Sequence, residues 1–245
     1  MSPVPRALAA IFALSGAAGL ALEVVWLRQL GHLVGHGAVA MSVVVAAYLL
    51  GMLLGAWQGG RLADRTPSPL RLYAALEALA AVSAAAVTLG LTRSADVAQA
   101  LGPQGDPLLV RGGLAFAALL VPTAAMGATT PALTRHLSDR GGDRGASFAG
   151  LYALNTLGAA AGCALAGFVL LGRVGLLRTA LLAVAARLCA AVGALALARG
   201  DAAPRRSSPR RRGPTCRASR CCSRRSRASR RCWPRPCGSA CCARS

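Results

Sequence analysis

Residues 38–65 read AVAMSVVVAAYLLGMLLGAWQGGRLADR, and this stretch decides the class of the fold. No charged side chain occurs in it before Arg61, and a helix of about 20 apolar residues is long enough to cross the hydrocarbon core of a bilayer. A soluble helix of this length would carry a polar stripe along one side. Here alanine, leucine, valine and glycine occur on every side, so the stretch predicts a transmembrane helix that ends in a charged loop.

Five other segments share this length and composition, which predicts an all-α, polytopic helical membrane protein with about six transmembrane helices. The first follows Arg6 as a signal peptide would, but its apolar run is longer than the core of a typical signal, so we expect it to remain as a helix. The six segments are residues 8–27, 38–58, 70–91, 112–133, 147–171 and 174–198.

The end of the chain differs in composition from the rest. Residues 201–245 contain 14 arginines, one acid and seven of the nine cysteines, whereas residues 1–200 contain 14 arginines and seven acids. Of the net charge of +20, the first part therefore carries +7 and the tail +13. We predict a six-helix membrane domain over residues 1–200 and a basic, disordered Arg/Ser/Cys-rich tail over residues 201–245, since the tail shows no apolar periodicity.

Two interpretations of the tail stay open. As a real segment it would lie on anionic lipid, and nucleic acid is not an expected partner because Trp233 is its only aromatic residue. Alternatively, residues 201–245 are a frame-shifted reading of a GC-rich gene, since arginine and cysteine codons read one base over become alanine and leucine codons.

Arginines in the short loops predict the orientation of the helices. With the N-terminus inside, seven arginines before residue 199 fall in inner segments and five in outer loops, and the tail adds to the inner side. We therefore expect a multi-pass protein of the bacterial inner (plasma) membrane with both termini cytoplasmic.

Small residues four apart allow two transmembrane helices to approach closely. The second segment carries Gly51, Gly55 and Gly59 in one line, and the fifth carries Gly158 and Gly162. These lines predict either packing between helices of one chain or the interface of a homodimer.

Three polar residues inside the predicted spans are candidates for function. A carboxylate at this depth should pair, face water or become protonated. Glu23 lies about 20 Å from the start of its span, and we interpret it either as a carboxylate bonded to a neighbouring helix or as a site for a cation or a proton. Glu77 is a second candidate, and Asn155 is a third, which would otherwise bridge two helices.

The loop after the second segment reads Gly60-Arg61-Leu62-Ala63-Asp64-Arg65. It resembles the loop between the second and third helices of major facilitator transporters. The resemblance implies that Asp64 pairs with a basic residue and latches one conformation, with Arg65 beside it, and that the six helices form half of a major facilitator fold. The glycine and paired basic residues that follow in that family are replaced by residues 66–69, TPSP.

A wider resemblance covers most of residues 10–198. Six blocks in order are similar to membrane-integral spermidine synthase-like proteins, which join a transporter-like membrane domain to a C-terminal polyamine aminopropyltransferase domain. The blocks are residues 14–20, 23–30, 51–64, 126–131, 151–159 and 167–171.

The resemblance implies a membrane domain whose enzyme partner moves an aminopropyl group from decarboxylated S-adenosylmethionine to putrescine. That enzyme needs a glycine-rich loop after a strand and acidic residues for the diamine, and neither occurs here in a suitable context. We therefore expect no catalytic, cofactor or metal residues in this chain, and residues 1–245 alone to be inactive as an aminopropyltransferase. The rival interpretation is a facilitator-type transporter that works as a half-unit or a homodimer.

Overall fold

The structure, a computed structural model, describes residues 5–34, 37–93, 107–141 and 144–200, all within one compact unit, and the predicted tail lies outside these ranges. In the described residues all regular structure is helical, as the sequence predicts. The helices are α1 (Arg6–Val34), α2 (Gly37–Arg65), α3 (Pro69–Thr92), α4 (Pro107–Asp139), α5 (Arg144–Leu165) and α6 (Leu171–Gly200), with a π-helical turn over Ala166–Leu170 between the last two.

Five helical segments among the described residues are long and apolar enough to cross a membrane, which is compatible with the predicted multi-pass protein. The fifth, Gly145–Gly200, runs for 56 residues and joins the fifth and sixth predicted spans. A straight helix of that length would measure about 84 Å, far more than the bilayer core. It is not straight, because Gly175 has φ 81° and ψ 175°, which lie outside the helical region.

The contacts along α1 show that the chain reverses near Gly175. Gly158 and Gly162 of α5 lie against the backbone of Ala13 and Ala17, so α5 runs parallel to α1. In α6, by contrast, Arg187 lies against Gly19 and Gly193 against Ile11, so α6 runs antiparallel to α1. Two arms that follow one helix in opposite directions cannot belong to one straight rod, and the break divides the long segment into two.

The predicted glycine lines lie at the two most extensive helix contacts. Gly51 lies against Thr123, Gly55 against Ala124 and Gly59 against Ala128, so α2 and α4 pack in parallel with their backbones close together. The line on α5 faces α1 in the same way. Both glycine faces are therefore occupied within the chain.

The helix α4 accommodates two prolines without losing helical conformation. Pro122 and Pro131 lie inside it, and each removes a backbone N–H donor. Hydroxyls of nearby threonines bond to backbone carbonyls of the preceding turn, with Thr123 Oγ1 donating to Leu119 O at 2.7 Å and Thr129 Oγ1 to Met126 O at 2.7 Å. Thr123 also reaches Ala47 O on α2 at 3.3 Å, which ties this part of α4 to its neighbour.

The buried apolar residues form two clusters at different heights in the bundle. One includes Trp26 and Leu119, and the other includes Phe12 and Leu133. Between them, on α1, α3 and α6, lies a layer of buried polar side chains. This layer contains the candidate site.

Adjacent glycines of α2 offer a matched test of this packing. An added Cβ at Gly59 would lie 2.6 Å from Cα of Ala128, whereas at Gly60 it would meet nothing within 4 Å. We predict that Gly59→Ala lowers the free energy of unfolding by about 1–3 kcal/mol because two backbones must move apart, while Gly60→Ala does not lower it. Unfolding of the purified chain in detergent, followed by circular dichroism, measures both, and equal effects would contradict the packing.

Candidate functional site

A buried ion pair between α3 and α6 is the centre of the polar layer. Arg187 Nη1 donates to Glu77 Oε2 at 2.8 Å, and the two side chains are 2% and 0% exposed. The other carboxylate oxygen, Oε1, accepts a hydrogen bond of 2.5 Å from the hydroxyl of Ser15 on α1. Three helices therefore meet at one carboxylate.

The surroundings of this pair are shaped to admit a large side chain. A Cβ at Gly19 would lie 2.9 Å from Arg187 Nη2, so the glycine makes room for the guanidinium beside α1. The ring of Tyr73 is fully buried one turn before Glu77 and packs near Phe12, 6.1 Å between ring centroids. In the described residues, the Tyr73 hydroxyl and Arg187 Nε have no well-aligned hydrogen bond. The pair is thus desolvated and held mainly by its own charge-assisted bond.

Glu23 differs from Glu77 in having no hydrogen-bond or ion-pair partner among the described residues. It is partly buried on α1, one turn beyond Gly19, and makes no hydrogen bond or ion pair with any described residue. Tyr48 of α2 lies within electrostatic range of both Glu23 and Arg187. Among the described residues, α1 therefore presents one partly buried carboxylate that no ion pair neutralises.

Asn155 occupies a different position from the two carboxylates. It lies on α5 against the backbone of Gly16, next to Ser15. Gly16 and Glu23 are seven residues apart, which is about two turns of α1. Glu77 bonds to Ser15 and Asn155 lies against Gly16, whereas Glu23 lies about two turns further along α1. The three candidate residues therefore do not share one site of contact.

The predicted latch residue Asp64 has a basic partner. Its Oδ1 atom accepts a bond of 2.7 Å from Arg135 Nη1 on α4, and Arg135 Nε donates to Asp139 at 3.0 Å. Side-chain exposures of 28% for Arg135 and 69% for Asp64 place this bond in contact with solvent. Arg65 is exposed and takes no part in the bond.

An open groove of about 470 Å³ runs beside this ion pair between α2, α4 and α5. Met52, Gly127 and Tyr152 line its apolar part, and Asp64 and Arg135 lie in its wall. Asp64 and Arg135 are therefore placed where a change in helix spacing would alter both the groove and the bond.

No protein-family model matches this chain, and neither the curated proteins nor the solved structures contain a match to it. Within the ranges that the structure describes, no group of three or more His, Cys, Asp or Glu residues could hold a metal ion. Functional interpretation therefore rests on the chain's own geometry.

The sequence carries signals for some of these ion-pair partners. Arg187 and Glu77 are opposite charges deep in two predicted spans, and such groups are expected to pair. Arg135 lies one helix turn before Asp139 at the end of α4, at the same end of the bundle as Asp64. No pattern in the sequence indicated Ser15, since a serine among small apolar residues usually bonds to its own helix.

A double-mutant cycle tests the buried pair. We predict that Glu77→Gln or Arg187→Gln alone lowers the free energy of unfolding by about 3–5 kcal/mol, because each leaves an uncompensated buried charge. Replacing both should cost much less than the sum of the two. Glu23→Gln is the matched control and should cost little, since no ion pair is lost. The measurement is unfolding by sodium dodecyl sulfate in mixed micelles, and additive single effects would refute the coupling.

Proposed function

We propose that this chain is a facilitator-type membrane unit that binds and moves a small cation, with Glu23 as the recognising residue. The observation that carries the proposal is the partly buried carboxylate of Glu23, which has no hydrogen-bond or ion-pair partner among the described residues. Well inside the spans, the described residues include two carboxylates, Glu23 and Glu77, and one arginine, Arg187. This arginine is already bonded to Glu77. A cation at Glu23 would supply the missing positive charge, and intramembrane carboxylates commonly mark cation or proton paths.

The bond between Asp64 and Arg135 supports a change of conformation in the same unit. It joins the ends of the parallel helices α2 and α4, in the role that the loop resemblance implies. An exposed, solvent-screened ion pair contributes little to stability, so it biases a conformation without locking it. Such a contact suits a latch that opens and closes during transport.

A half-unit of this kind needs a second half. α1 runs parallel to α5 and antiparallel to α6, and α2 runs parallel to α4, which is the alternation expected for half of a facilitator fold. The glycine faces are occupied inside the chain, so a homodimer would use other surfaces. We place the unit in the bacterial inner membrane with both termini cytoplasmic, following the arginine distribution.

A second candidate is the membrane domain of a spermidine synthase-like protein, a kind of protein that joins such a domain to an aminopropyltransferase domain. It is favoured by where the resembling blocks lie. Residues 14–20 pack on residues 151–159, and residues 51–64 pack on residues 126–131. Four of the six resembling blocks thus coincide with the closest helix contacts, which is expected if the resemblance lies in the membrane scaffold. Transport of a cation and membership of such a protein are compatible, since putrescine is a small dication.

Uptake into vesicles tests the role of Glu23. With the full chain reconstituted, we predict uptake of labelled putrescine. The initial rate for Glu23→Gln should be at most about one tenth of the parent's rate, because the charge-assisted contact to the cation is lost. Glu23→Asp keeps the charge and should retain more activity than Glu23→Gln.

Equal rates for the chain and Glu23→Gln would exclude this site. Absence of uptake from the folded parent chain would remove the transport proposal and leave the scaffold candidate. Circular dichroism of each variant confirms that a lower rate does not come from unfolding.

A further inference from the structure

A second groove, distinct from the one beside Asp64, opens on the outer surface of the bundle between α2, α3 and α4. Its volume is about 620 Å³. Most of its wall is apolar and includes Leu54 of α2, Leu79 of α3 and Val121 of α4, all exposed. Such a surface on a transmembrane bundle faces lipid chains.

One end of this groove is basic. Arg61 and Arg65 line it there together with Gln58, all on the last turns of α2. In the described part of the chain neither arginine forms an ion pair with a carboxylate. The groove therefore combines a long apolar wall with two uncompensated positive charges at one end.

Trp57 indicates the depth of the basic end in the membrane. The guanidinium of Arg61 lies 3.9 Å from the centroid of the Trp57 ring, a cation–π contact that orients the arginine. Tryptophan is enriched at the level of the lipid headgroups, and the ring is 54% exposed. The two arginines are thus at headgroup height, where a lipid phosphate would lie.

We propose that this groove binds one anionic glycerophospholipid. Arg61 and Arg65 hold its phosphate, Gln58 offers a further polar contact, and one acyl chain lies along the apolar wall towards Leu54 and Val121. Basic pockets between transmembrane helices are recognised sites for anionic headgroups. The site is separate from Glu23, so it holds whether or not the chain transports a cation.

Bound lipid would have a structural consequence at the α2–α4 contact. Gly55 and Gly59, which pack against α4, also lie in the floor of the groove. A lipid seated there covers the closest contact between these helices. Occupancy should therefore stabilise the pairing on which the Asp64–Arg135 bond depends.

Native mass spectrometry of the full chain in detergent, titrated with phosphatidylglycerol or phosphatidylcholine, tests the site. We expect one phosphatidylglycerol to bind in preference to phosphatidylcholine. Each of Arg61→Gln and Arg65→Gln should weaken that binding about fivefold, and the double variant about 30-fold, from the contribution of each arginine near a headgroup. The tail's charge is common to all variants, so differences between them report the groove.

Arg71→Gln is the matched control, since Arg71 is exposed on the first turn of α3 but does not line the groove. It should leave phosphatidylglycerol binding unchanged. An equal loss of phosphatidylglycerol binding in Arg71→Gln would show that the lipid is attracted to basic charge in general, and would overturn the site. Retained preference in the double variant, or equal binding of phosphatidylcholine, would overturn it as well, and circular dichroism verifies that each variant is folded.

Discussion

The buried bond between Glu77 and Arg187 is the constraint on which the arrangement of the helices depends. Both side chains are almost fully inaccessible, and either charge alone would be costly at this depth. Arg187 meets Glu77 only if α6 returns alongside α3, so the bond requires the reversal near Gly175. Ser15 brings α1 to the same carboxylate, and Gly19 makes the space for the guanidinium. One electrostatic requirement thus fixes the relative positions of α1, α3 and α6. The apolar clusters on either side of it are less directional contacts and would set these positions less strictly.

A second class of contact holds the remaining helices, and it differs in physical nature. α2 with α4, and α1 with α5, approach through lines of glycine, where dispersion replaces the hydrophobic drive that a bilayer lacks. These contacts are close but carry no charge, whereas the Asp64–Arg135 bond at their end is charged and exposed. A rigid centre with a weak, solvent-accessible bond at one end is an arrangement that permits one pair of helices to move while the core remains intact. The groove bearing Arg61 and Arg65 lies on that same pair.

Much of this fold could be predicted from composition and spacing. Long apolar runs without a polar stripe predict membrane helices, and the long apolar helices of the structure are compatible with that prediction. Glycines four apart predict the close approach of a neighbouring backbone. The sequence predicts a short connection between the fifth and sixth segments, and the break at Gly175 lies there. Length and composition alone give five spanning helices, because Gly145–Gly200 is then counted as one segment. Pairing was harder to predict, because nothing in the spacing joins positions 77 and 187, which lie 110 residues apart. The sequence predicts that Glu23 is a charge inside a span, but only the packed structure shows that it has no hydrogen-bond or ion-pair partner among the described residues.

The reversal at Gly175 is the claim on which the six-crossing arrangement depends most directly, and side-specific labelling measures it. In a cysteine-free background, single cysteines at Ser68, Arg93 and Gly172 are exposed to a membrane-impermeant thiol reagent from each side in turn. We expect Gly172→Cys to react from the same side as Arg93→Cys and from the side opposite Ser68→Cys, because α5 crosses in the same direction as α3. Labelling of Gly172→Cys from the side of Ser68→Cys, or from neither side, would contradict it.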